Sequence, residues 1–163
     1  MTKLKKINTT ETFDGLLDSG RSMKENNDCA VRAVAAACDK PYAEVREYMN
    51  SNGRKHGKDT AIALTYRAVK FFGYKTVKVE IQDIINKFPR PHCDVLKNFT
   101  SHHPRRFPGC LDENKVYLIW FSGHIAAFKG GELHDWAINR SLRAQFIDEV
   151  VKDDASAPMT ILT

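Results

Sequence analysis

The feature that most constrains the fold is a run of β-forming residues followed at once by two further strand-like segments. Residues 116–121, Val-Tyr-Leu-Ile-Trp-Phe, have the composition of a strand that is buried on both faces. Residues 124–129 predict a second strand, and Gly130-Gly131 predicts a tight turn into a third strand over 132–136. Residues 146–151 predict another strand. These segments indicate an antiparallel sheet in the second half of the chain.

Helical patterns precede the strands. Three segments carry apolar residues at the three-to-four-residue spacing of a buried helical face. The first segment has Cys29 in its first turn, and the second ends at Asn52-Gly53. The third is expected to begin with Asp59 or Thr60 as its cap and to end at Gly73. Helices followed by strands predict an α+β fold in which the Cys29 helix packs against the antiparallel sheet.

Length and composition predict a single domain over residues 1–163. With 42% hydrophobic and 28% charged residues, the chain has neither a disordered nor a fibrous composition. We interpret the moderate net charge of +5 as an aid to solubility rather than as the mark of an acidic partner. From about residue 153 the chain is expected to be a loose tail.

The start of the chain and the cysteines indicate the cellular compartment. Residues 1–13 are basic and polar, without the apolar segment of a secretion signal, and no later run is long and apolar enough to span a bilayer. We therefore predict a cytoplasmic protein that does not associate with membranes. The four cysteines, at positions 29, 38, 93 and 110, are then expected to stay reduced. Cys29 is available for chemistry, and Cys38 is interpreted as a packing residue.

Cys29, His124 and Asp135 are the candidate catalytic residues. A thiol in the first turn of a helix lies near unpaired N–H groups and the positive helix end, both of which favour thiolate. A cysteine nucleophile also needs a base and a group that orients the base. If the segments around Gly130-Gly131 form a hairpin, the Asp135 carboxylate can fix the tautomer of His124. The alternatives are a packed thiol, a strand histidine bonded to a carbonyl and an ordinary hairpin carboxylate. His134 is expected to point to the opposite face of its strand.

These motifs resemble the papain-like cysteine peptidase superfamily. The similar elements are Asn27-Asp28-Cys29 at a helix start and G-H-I-A-A-F-K-G-G-E-L-H-D-W at 123–136. The chain is most similar to the small bacterial and bacteriophage branch related to peptidases that remove double-glycine leaders from bacteriocins. The resemblance covers residues 26–136. It implies a papain-like fold, Cys29 as nucleophile, His124 as general base, Asp135 as orienting residue, a protein or peptide substrate, and no metal or organic cofactor.

One position departs from the pattern of that superfamily. Many of its members have a glutamine six residues before the cysteine that completes the oxyanion hole, and Met23 occupies that position here. Asn26 or Asn27 is the candidate that supplies a side-chain amide instead. The reaction is expected to be attack on an amide, isopeptide or thioester carbonyl. The alternative from another class is an inactive papain-like module that binds a partner protein, and Met23 is its support.

Residues 88–109, rich in proline, arginine and histidine, predict a surface loop. A zinc site built from its cysteines and histidines is one alternative, but Cys93 and Cys110 each lack a cysteine partner at the usual spacing, so we predict no metal. Its arginines could form a basic patch for nucleic acid, as in a small nucleic-acid-associated factor. No recognised nucleic-acid motif is present, and nucleic acid is not a predicted partner. The sequence leaves the oligomeric state open.

Overall fold

A computed structural model describes the chain over residues 5–8, 27–80, 111–135 and 144–154. Within these ranges the chain forms three helices and one six-stranded sheet. In chain order the elements are β1 (Lys5–Asn8), α1 (Cys29–Ala37), α2 (Tyr42–Ser51), α3 (Ile62–Phe71), β2 (Tyr74–Lys78), β3 (Val116–Phe121), β4 (His124–Lys129), β5 (Glu132–Asp135) and β6 (Ala144–Lys152).

The sheet has the strand order β1-β5-β4-β3-β6-β2. The five strands from β5 to β2 are antiparallel to their neighbours, and β1 joins the edge parallel to β5. This arrangement confirms the predicted α+β class, and the strands predicted over 116–121 and 124–129 have the predicted bounds. All but the first residue of β3 are buried, as expected for a central strand.

Two glycine turns set the register of the central hairpins. Gly123, with φ of 67°, lies in the turn between β3 and β4, where Phe121 pairs with His124. Gly130 and Gly131 have φ of 60° and 74°, and they join β4 to β5 so that Lys129 pairs with Glu132. Glycine adopts such left-handed conformations without steric cost, and a two-residue turn with positive φ at both positions, as at Gly130-Gly131, matches the twist of adjacent strands.

The helices cover one face of the sheet, with α1 against β4. Nearly every side chain of α1 is buried, which explains its alanine-rich and valine-rich sequence. Val31 and Val34 pack with Val45 and Met49 of α2 and with Ile125 of β4. Burying such a side chain fully contributes about 1.5–3 kcal/mol each. This packing fixes the direction of α1 and therefore the position of Cys29 at its first residue.

Several local expectations were wrong or cannot be compared. Neither Asp59 nor Thr60 caps α3, which begins one residue later with Ala61 at the N-cap and no side-chain cap bond. The short strand β1 was not predicted, because a single apolar residue, Ile7, gives no alternation, and pairing with β5 creates the strand. The surface loop over 88–109 and nearly all of the expected tail lie outside the described residues. None of the helices in the described ranges is long and apolar enough to cross a membrane.

Candidate active site

A cleft of about 150 Å³ lies where β3 ends, β4 begins and α1 starts. Much of its lining is apolar. The lining residues are Cys29, Ala30, Asp59, Thr60, Ile62, Trp120, Phe121, Gly123, His124 and Ile125. An apolar space of about 150 Å³ is large enough to hold a benzene ring. The cleft therefore has room for one side chain of that size next to the thiol.

Cys29 is the first residue of α1, as its position before the apolar periodicity predicted. It is half-buried and carries a free thiol. The N–H groups in the first turn of a helix have no acceptor within the helix, and they carry the positive end of the helix dipole. The cleft thus presents a thiol beside partial positive charge.

The ring of His124 is hydrogen-bonded to Asp135. Nε2 of His124 donates to Oδ1 of Asp135 over 2.7 Å, and both side chains are almost completely buried. The register of the hairpin explains the contact. Ala127 lies opposite His134, and the same register, continued by one residue, places Ala126 opposite Asp135. His124, two residues before Ala126, is then a diagonal neighbour of Asp135 on the same face of the sheet. A carboxylate accepts only, so Nε2 carries the proton.

Cys29 is the second partner of the imidazole. Burial lowers the pKa of His124, but hydrogen bonds to Asp135 and to Cys29, together with the negative charges of both groups, outweigh burial and raise this pKa to about 9. Since Nε2 is occupied by Asp135, Nδ1 is the ring nitrogen left for the thiol. At neutral pH the imidazole is therefore protonated, and an imidazolium beside a thiol favours thiolate. The three predicted residues come together as a hydrogen-bonded chain.

Of the two asparagines proposed as oxyanion donors, the structure describes Asn27, and its side chain does not lie at the cleft. The side-chain amide of Asn27 donates to the carbonyl of Gly57 over 3.0 Å in an exposed position, and Asn27 does not line the cleft. Asn27 has a left-handed backbone, with φ of 52°, which asparagine tolerates better than most residues. Asn26 and Met23 lie outside the described residues. The backbone N–H of Cys29, at the start of α1, is the donor that the fold puts beside the thiol.

The two neighbouring residues that could be confused with the candidates behave as packing residues. Cys38 is buried at the end of α1, and burial raises the pKa of its thiol to about 12, so it stays protonated. His134 is half-buried between the buried residues Leu133 and Asp135, as the alternation of a strand predicts. Burial lowers the pKa of His134, which therefore stays neutral at physiological pH.

Sequence reasoning missed the network that holds the wall of the cleft. Trp120 donates its indole N–H to Oδ2 of Asp148 over 2.9 Å, and the Tyr66 hydroxyl donates to the same oxygen over 2.6 Å. Asp148 lies on β6 and is buried. From its place in the alternating pattern of a β-forming segment, Asp148 resembles an ordinary outward-facing carboxylate. The contact becomes apparent only when β3 is paired with β6.

No protein-family model matches this chain, and no curated protein or solved structure is significantly similar to it. Among the described residues, no cluster of three or more His, Cys, Asp or Glu side chains could hold a metal ion. Cys93, Cys110 and the histidines of the 88–109 loop lie outside the described residues.

Proposed function

We propose that the protein is a cysteine peptidase or a related thiol hydrolase of papain-like type. The observation that carries the proposal is the placement of His124 between the Asp135 carboxylate and the Cys29 thiol, at the wall of an open cleft. A nucleophile, a base and an orienting carboxylate are the groups that attack on an acyl carbon requires. The papain-like resemblance of the sequence supports the same assignment of roles.

The roles follow from the protonation states. The Cys29 thiolate attacks the acyl carbon, the sulfur–carbon bond forms, and the carbonyl oxygen becomes an oxyanion. The His124 imidazolium gives its proton to the leaving group as the bond to that group breaks. Neutral His124 then takes a proton from water, which attacks the acyl group and releases Cys29. Asp135 holds the ring in one tautomer and stabilises its charge throughout.

The lining of the cleft favours an apolar group next to the reacting carbon. Trp120, Phe121 and Ile125 form one side of it, and Ile62 stands at the rim with 52% of its surface exposed. The hydrogen bond to Asp148 holds the Trp120 indole in place on this side. The substrate class that fits is a protein or peptide with a single medium-sized apolar side chain at that position. We propose that the protein acts in the cytoplasm.

A second candidate is a papain-like module that binds a partner protein without catalysis. The orientation of Asn27 favours it, because an amide bonded to Gly57 does not meet an oxyanion in the cleft. The two candidates differ in the reactivity of Cys29: a binding module needs no activated thiol.

We expect iodoacetamide to alkylate Cys29 well below the pH at which an ordinary thiol reacts, with a rate that rises much less than a hundredfold between pH 5.5 and 7.5. A thiol activated by a neighbouring imidazolium is already nucleophilic at low pH, whereas the rate for an ordinary thiol rises about a hundredfold across two pH units below its pKa. Mass spectrometry of the alkylated peptides measures the rate at each cysteine. Cys38→Ala is the control, because its rate at Cys29 should equal the wild-type rate. A hundredfold rise at Cys29 would favour the binding module.

A further inference from the structure

Asp28, the residue before the proposed nucleophile, departs from the usual behaviour of a helix N-cap. An aspartate there ordinarily accepts a hydrogen bond from an N–H group in the first turn, which stabilises a helix by about 1 kcal/mol. Asp28 is the N-cap of α1 and makes no such bond. It is completely buried, with 0% of its surface exposed, so solvent does not bond to its carboxylate in place of the helix.

Two other groups hold the Asp28 carboxylate. Oδ2 accepts hydrogen bonds from Nε of Arg32 over 2.9 Å and from the hydroxyl of Tyr42 over 2.6 Å. Arg32 lies one turn along the same helix and Tyr42 is the first residue of α2, so two helices fix the carboxylate. Both partners are themselves buried. Oδ1 has no hydrogen-bond partner within the described part of the chain.

This arrangement leaves the first N–H groups of α1 uncapped. The first hydrogen bond within the helix runs from the N–H of Arg32 to the carbonyl of Asp28, over 3.1 Å. The N–H groups of residues 29–31 precede it and have no acceptor inside the helix. Cys29 and Ala30 line the cleft. Their N–H groups can therefore meet an oxygen atom that enters it.

We propose that Asp28 is a positioning residue: Arg32 and Tyr42 hold its carboxylate away from the first turn of α1 and so keep the amides there free to stabilise an oxyanion. The inference rests on the proposed attack at an acyl carbon, because that attack is what produces an oxyanion beside the thiol. It accounts for a buried ion pair next to the nucleophile. Such a buried pair is costly to desolvate and is therefore weak evidence for a purely stabilising role.

Two reagents separate the amides from the thiol. p-Nitrophenyl acetate acetylates a thiol through a tetrahedral oxyanion: the sulfur–carbon bond forms and p-nitrophenolate leaves. Iodoacetamide alkylates the same thiol by direct displacement of iodide, without an oxyanion. The ratio of the acetylation rate to the alkylation rate therefore reports on oxyanion donors and is insensitive to the fraction of thiolate. All proteins are full-length, and the rate of Cys29→Ala is subtracted to remove reaction at other cysteines.

The Tyr42→Phe variant is expected to lower this ratio on the order of tenfold. Arg32 alone then holds the Asp28 carboxylate, which can turn to the N–H groups of the first turn as an ordinary cap does. Complete loss of an oxyanion donor costs about 10²–10³ in rate, and a partial loss costs less. Tyr48→Phe is the matched control, because it removes the same atom from the same helix at a residue that stacks on Phe71 and does not line the cleft. Its ratio should equal the wild-type ratio.

Adding Asp28→Ala to Tyr42→Phe should restore the ratio to within about threefold of the wild-type value, because alanine has no oxygen with which to cap the helix. A wild-type ratio in Tyr42→Phe would overturn the inference, and so would a double variant whose ratio stays as low as that of Tyr42→Phe. If thermal unfolding shows that the double variant does not fold, the comparison of Tyr42→Phe with Tyr48→Phe decides. A wild-type Cys29 that reacts with both reagents like an ordinary thiol would instead refute the proposed function.

Discussion

Replacing Cys29 with alanine is expected to abolish acyl transfer completely while leaving the fold intact. The side chain supplies the atom that forms a bond to the substrate in the proposed mechanism, and no second thiol lines the described cleft. The burst of p-nitrophenolate from p-nitrophenyl acetate, equal to one per protein molecule in the wild type, should disappear at this site. Stability should change by about 1 kcal/mol or less, because alanine suits the first turn of a helix and the lost group is small.

Cys38→Ala is the matched control for this prediction. Both cysteines lie on or next to α1, but Cys38 is buried at the far end of the helix. Its replacement should leave the burst unchanged and lower the free energy of unfolding by about 1 kcal/mol through lost packing. A burst that survives in Cys29→Ala and disappears in Cys38→Ala would exchange the roles of the two residues and contradict the site.

The His124→Gln variant is expected to lose about thirtyfold in acetylation rate at pH 7, because an ordinary thiol is only a few per cent thiolate at that pH and p-nitrophenolate leaves without needing a proton. Glutamine can still donate a hydrogen bond to Asp135, so the carboxylate keeps a partner and the fold should be retained. The imidazolium that favours the thiolate is lost. The rate should therefore recover as the pH is raised toward 9, because Cys29 then ionises without help.

His134→Gln provides the comparison for His124→Gln. It changes the same residue type on the neighbouring strand of the same hairpin, at a half-buried position that does not line the cleft. Rates at every pH should match the wild-type protein. A His124→Gln variant that retains the wild-type rate at pH 7 would show that the imidazole does not activate Cys29, even though it is hydrogen-bonded to Asp135.

The parts of the site that sequence could predict depend on local structure. The pairing of β4 with β5 follows from a two-residue glycine turn, and the turn alone sets the register that brings His124 and Asp135 to one face. The start of α1 at Cys29 follows from the apolar spacing that comes after it. The expectation that Cys29 meets His124, 95 positions later, rested on the groups that a cysteine nucleophile needs and on the resemblance, because no local feature specifies a contact between distant elements.

The parts that sequence could not predict depend on tertiary contacts. Asp28 looks like an ordinary helix cap, and its real partners follow from the packing of α2 on α1. Asn27 looked like an available amide beside the nucleophile, but the turn at Gly57 takes its hydrogen bond. Strand β1 exists because β5 offers an edge, and its own residues carry almost no strand signal.

The measurement that tests the central claim most directly is the identification of the acetylated residue. Wild-type protein and His124→Gln are treated with p-nitrophenyl acetate at pH 7, quenched in acid and mapped by peptide mass spectrometry. The account predicts one acetyl group on Cys29 in the wild-type protein within the burst, and almost none on Cys29 in His124→Gln over the same time. Wild-type protein without an acetyl group on Cys29, or equal acetylation of Cys29 in both proteins, would contradict a thiol activated by His124.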